Sequence, residues 1–154
     1  MVSKITLGQE HQKYVIVSLS SGEKRLLAEV WFRPDGSETR HKEIVDRFCR
    51  ENGFTPTRLV DGITYQAENN EGIALEVRGG GIIRLGKVGK EVYVSEDSID
   101  YGMPHADDVI PRIMEAARMG GLTGFQVSFS DLKGLPKPKP GARPSERALK
   151  LTIE

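Results

Sequence analysis

The sequence has one cysteine, Cys49, which excludes an internal disulfide. It also excludes the usual structural zinc sets, which draw on two or more cysteines. No apolar run approaches the roughly 18 residues that a membrane helix requires, so no membrane association is expected. The opening Met1-Val2-Ser3-Lys4-Ile5-Thr6 lacks the apolar core of a secretory signal, and a cytoplasmic location is expected. Charge of one sign is missing too: 22 basic residues balance 22 acidic ones. Whole-chain electrostatics therefore gives no reason to expect a nucleic-acid partner.

What is present is an ordinary globular balance, 38% apolar and 29% charged over 154 residues. That length suits one domain with one core. The charge is unevenly placed. Residues 132–154 hold six basic residues against Glu146 and Glu154, a net +4, so the rest of the chain carries −4. The same segment holds Pro136, Pro138, Pro140 and Pro144. The division expected is a domain over 1–131 and a mobile Pro/Lys-rich tail over 132–154, read as a solvated tail or, alternatively, as a basic arm for an acidic partner. Leu149, Leu151 and Ile153 alternate with polar residues, which allows a short terminal strand.

Tyr14 to Ser18 reads as a first strand, Arg25 to Phe32 as a second. Between them Ser20-Ser21-Gly22 turns the chain. A helix is expected from about Arg40 to Asn52. Ser37 or Thr39 would cap it, Gly53 would end it, and Ile44, Val45 and Phe48 form its buried stripe. Short strands follow to Ser95, with turn signals at Asp61-Gly62 and at Asn69 to Gly72. A second helix is expected to about Met119, capped by Asp107 or Asp108, which keeps Pro111 in the tolerated first turn. Phe125 to Phe129 is a last strand. The pattern predicts an α/β or α+β domain: a small mixed sheet flanked by two helices.

Chemistry has few candidates. His41 falls at a helix start, where the macrodipole disfavours imidazolium and keeps a general base or nucleophile neutral. By spacing alone the better reading of the same position is a histidine that only packs beside Ile44 and Val45. Gly79-Gly80-Gly81 lacks the Gly-Lys-Ser/Thr end of a nucleotide loop, so a bulge or close backbone approach is the better reading. Ser98 to Gly102 follows a strand directly and reads as an anion-binding nest or as a plain Ser/Asx turn. His105, Asp107 and Asp108 read as metal ligands or, more simply, as the end of a helix.

Taken in order, these pieces resemble the Janus/Ocnus family of phosphohistidine phosphatase-like proteins. The resemblance rests on Lys13-Tyr14-Val15, on His41 opening a helix, and on the triple glycine leading to Lys90-Glu91-Val92-Tyr93-Val94. Ser98-Ile99-Asp100-Tyr101-Gly102 and the closing Phe125 to Phe129 complete it. It spans about Lys13 to Asp131.

The resemblance implies a phosphohistidine phosphatase-like fold and metal-independent, cofactor-free hydrolysis of phosphohistidine. The partner would be a phosphorylated protein or a small phosphoramidate. It gives His41 the part of base or phosphate acceptor, and Lys13, Ser98, Ile99 and Asp100 the parts of phosphate-binding residues. Where the family has arginine after the glycines this chain has Ile82, and Arg84, two residues on, is the expected substitute. Where the family has a small residue, this chain has Asp100. The alternative is a non-catalytic phosphate- or protein-binding module on the same fold.

Overall fold

The computed structural model describes residues 11–57, 62–86, 88–135, 140–141 and 148–154. Its strands are β1 (Gln12–Leu19), β2 (Lys24–Val30), β3 (Phe54–Pro56), β4 (Gln66–Asn69), β5 (Ala74–Gly86), β6 (Glu91–Asp97), β7 (Gln126–Phe129) and β8 (Leu149–Thr152). Helix α1 (His41–Asn52) follows β2, and α2 (Ala106–Met119) links β6 to β7. The main sheet runs β2-β1-β5-β6-β7-β8, antiparallel except for β6 and β7. A parallel pair needs a long crossover, and α2 supplies it. The short β3-β4 pair joins the free side of the first half of β5. This is the mixed sheet with two helices expected of a small α+β fold.

The period of two along β1 divides the interior. Tyr14 and Ile16 face one core with Val109, Ile113 and Ala117 of α2. Val15, Val17 and Leu19 face the other with Ile44, Val45 and Phe48 of α1. The helices thus cover opposite faces of the sheet. Neither is long and apolar enough to cross a membrane.

Three details differ from the sequence expectation. The N-cap of α1 is Arg40, not Ser37 or Thr39. The Thr39 N–H donates to the Trp31 carbonyl, while its buried Oγ1 has no partner among the described residues. Glu43 accepts from the Arg40 N–H at 3.0 Å instead. The N-cap of α2 is His105, whose Nδ1 accepts from the Asp107 N–H at 3.1 Å. Neither Asp107 nor Asp108 caps, and Pro111 consequently lies inside the helix rather than in its first turn. Finally, the pieces expected around the triple glycine are one strand of 13 residues, with register shifts at Val77/Gly79 and Gly81/Ile82.

The end of the chain is part of the body. Leu132 is 7% exposed and Ile153 1%, both in the α2-side core. Residues 149–152 form β8 on β7. The Asp61 half of the expected hairpin and residues 136–139 and 142–147 of the proline-rich stretch lie outside the described residues.

Candidate functional site

At the N-terminal end of α1 a depression of about 390 Å³ opens beside the sheet. Its lining includes Lys13 from β1, Trp31 and Glu38 from the β2–α1 connection, and Arg40 and His41 from the helix start. Ile82 of β5, Glu96 and Asp97 at the end of β6, and the loop residues Ile99 and Asp100 complete it. Register explains the gathering: Lys13 pairs across the ladder with Ile82, which in turn pairs with Ser95 of β6.

The triple glycine makes room for this. A Cβ on Gly80 would stand 2.6 Å from the Tyr14 carbonyl oxygen, 3.1 Å from His41 Cδ2 and 3.4 Å from Ser98 Cβ. His41 and Ser98 are therefore neighbours across Gly80. A Cβ on Gly81 would stand 2.5 Å from the Glu96 carbonyl oxygen, and one on Gly79 2.8 Å from Pro104 backbone. The glycines serve close backbone approach.

His41 is buried, and its Nε2 lies 2.9 Å from the Gly81 carbonyl oxygen. A carbonyl only accepts, so Nε2 carries the hydrogen and Nδ1 the lone pair. Burial pushes the imidazole below its ordinary pKa. The Gly81 carbonyl raises it, the Lys13 ammonium lowers it further, and Asp100 and Glu38 raise it, without restoring the ordinary value. The helix start acts with burial. The ring is thus held neutral, in one tautomer.

The loop after β6 is a tight turn. Ser98 N–H donates to the Gly80 carbonyl, Gly102 N–H to the Ser98 carbonyl and Tyr101 N–H to Ser98 Oγ. The N–H groups of Ile99 and Asp100 take no part in these bonds. Ser98 is 2% exposed and acts as the inner brace of the turn. Asp100 sits 3.5 Å from Arg40 Nη2, and its carbonyl accepts from Tyr65 Oη at 3.1 Å.

Of the residues singled out from sequence, Lys13, His41, Ile99 and Asp100 line the depression, and Ser98 supports it from below. Arg84 does not line it. Its guanidinium pairs with Glu96 at 3.1 Å and lies 5.2 Å from the centre of the Trp31 ring, at the rim. The partner of Asp100 is Arg40, a residue the sequence reading did not weigh. Trp31, Glu38, Glu96 and Asp97 were missed as well. The one available signal was Trp31-Phe32, an aromatic pair with Phe32 56% exposed.

The described residues hold no group of three or more His, Cys, Asp or Glu placed to share a metal ion. His105 caps α2, and Asp108 pairs with Lys24 at 2.5 Å and Arg78 at 3.2 Å. Compared with known proteins, the chain matches no family model and no curated protein.

Proposed function

We propose that the chain hydrolyses the P–N bond of phosphohistidine in proteins, as its resemblance to the Janus/Ocnus family implies. The observation that carries this reading is His41: buried, neutral and locked by Gly81 into the tautomer with a basic Nδ1. A merely packed histidine has no need of a depression furnished with an ammonium and a turn whose Ile99 and Asp100 N–H groups have no partner among the described residues. In this reading the phosphoryl oxygens rest on Lys13 and on the Ile99 and Asp100 N–H groups, which stabilise charge where it develops. His41 then takes a proton from the attacking water and passes one to the departing ring nitrogen as the P–N bond breaks, so phosphate and neutral imidazole leave and His41 is neutral again. As phosphate acceptor, it instead receives the phosphoryl group at Nδ1 and yields it to water.

A second reading has its own support. The depression is lined by two cations, Lys13 and Arg40, and four carboxylates, Glu38, Glu96, Asp97 and Asp100. A carboxylate about 5 Å from a phosphate opposes binding by roughly 3 kcal/mol per unit charge at an effective dielectric of 20. That excess favours a module that binds a protein segment, a basic one above all, without turnover.

One experiment separates the two: phosphate release from a phosphohistidine peptide in the presence of a chelator. Turnover that vanishes in His41→Ala supports the hydrolase. Binding of the peptide without release supports the module. Release undiminished in His41→Ala removes the proposed mechanism.

A further inference from the structure

The donors of Lys13 and Trp31 converge on one atom. Glu38 Oε1 accepts from Lys13 Nζ at 2.6 Å and from Trp31 Nε1 at 2.8 Å. Ammonium and indole N–H can only donate, so what they share is a demand for an acceptor oxygen, and the ammonium favours an anionic one. A phosphoryl oxygen meets the same demand at the same distances.

The donors are the fixed side of this contact. The Lys13 side chain is 10% exposed, that of Glu38 52%. The indole is stacked on Phe32, with centroids 5.4 Å apart and planes within 9°. The Lys13 and Arg84 cations lie 5.5 Å and 5.2 Å from its ring centre. Glu38 lies on the same connection as Trp31, its backbone bridged to Phe32, but its side chain is the exposed one at the rim of the depression. Hydrogen bonds from Lys13 first and Trp31 second hold its carboxyl below the usual carboxylate range, so at neutral pH it is an anion. An exposed anion loses little by turning into water.

We infer that Lys13 and Trp31 form a two-donor seat for one phosphoryl oxygen, which Glu38 occupies as an internal competitor until substrate displaces it. The identity of the incoming anion rests on the hydrolase reading; the seat itself rests on the convergence of two donors on Oε1. Trp31 becomes a substrate-binding residue, and Glu38 sets a threshold. A dianion that also engages the Ile99 and Asp100 N–H groups displaces it, whereas a simple carboxylate only replaces like with like.

The test is calorimetric titration of the full chain with inorganic phosphate, in wild type, Glu38→Gln, Trp31→Phe and the double variant. Removing the competing charge is expected to tighten phosphate binding about fivefold. In the Glu38→Gln background, Trp31→Phe is expected to weaken it again by about tenfold, the loss of one hydrogen bond to an anion. Trp31 is the only tryptophan of the chain, so its fluorescence should report phosphate binding in Glu38→Gln. Thermal melting of each variant checks that the fold persists. Equal affinities in wild type and Glu38→Gln, or no loss on adding Trp31→Phe, overturn the inference. So does the absence of phosphate binding in all four. Parallel assays on a phosphohistidine peptide keep the two proposals apart. Tightening without turnover upholds the seat and removes the hydrolase, while turnover with unchanged phosphate affinities removes the seat alone.

Discussion

Two glycines of one strand, Gly80 and Gly86, make a controlled experiment on why β5 carries glycine at all. Neither has a left-handed φ, so backbone strain does not separate them. Alanine at either position narrows the unfolded ensemble to the same extent, a gain of about 0.4–1 kcal/mol where the native site accepts a methyl group. At Gly86 it does. The nearest atoms to an added Cβ are the Glu91 carbonyl oxygen at 3.6 Å and Tyr93 at 3.7 Å, ordinary contacts. At Gly80 the Tyr14 carbonyl oxygen stands at 2.6 Å. It belongs to β1, the strand paired with β5, and cannot turn aside as a side chain would. The methyl group must push β1 away from β5 and press on His41, 3.1 Å off. Overpacking of this kind costs about 3 kcal/mol. In a chain of this length, at roughly 3 °C per kcal/mol, the melting temperature falls by about 9 °C. Gly80→Ala and Gly86→Ala, compared by calorimetry, should therefore differ by about that amount, with Gly86→Ala at or slightly above wild type. Melting temperatures within 2 °C of each other would show that the triple glycine is not set by close approach, and the account of the site built on it would fall.

Two further outcomes follow from burial. His41 has a folded-state pKa below its unfolded value of about 6.5, so the native state binds fewer protons between the two values. Stability should rise with pH across that window and fall as acid protonates the unfolded imidazole. Urea midpoints measured from pH 5 to 8 should show this slope and lose it in His41→Gln; an unchanged slope in the variant would refute the assignment. Ile153, 1% exposed, anchors the last residues to the α2-side core. Ile153→Ala should cost about 2–4 kcal/mol by urea denaturation, and a loss under about 1 kcal/mol would show that the terminal segment adds nothing to the core.

What could be read from sequence was what neighbouring residues decide among themselves. Gly53 ends α1 at φ +74°, the left-handed conformation expected of a glycine at a helix end. Asn69 organises its turn, accepting at Oδ1 from the N–H groups of Glu71 and Ile73. Val15 and Val17 line one core and Tyr14 and Ile16 the other, as strand alternation requires. Even the glycine run announced a close approach, because a glycine inside a strand otherwise weakens it. These signals act over a few residues, through dihedral preference and periodicity.

The caps of both helices escaped the same rules. A backbone bond from Thr39 to the Trp31 carbonyl leaves Arg40 at the cap position of α1, and His105 offered a ring nitrogen where an aspartate carboxylate was expected. The chain's end also belonged to the body, since burial of Leu132 and Ile153 depends on where β7 and α2 lie. Local preference determined that His41 would open a helix and that the Ser98 to Gly102 loop would turn tightly. Only tertiary structure decided that the Gly81 carbonyl would choose the tautomer of His41, that Asp100 would meet Arg40 while Arg84 turned to Glu96, and that Lys13 and Trp31 would close on Glu38. The physical reason is that these contacts join residues far apart in the chain. They exist only once the β1–β5–β6 register brings the strands alongside one another, and no short window of sequence encodes that register.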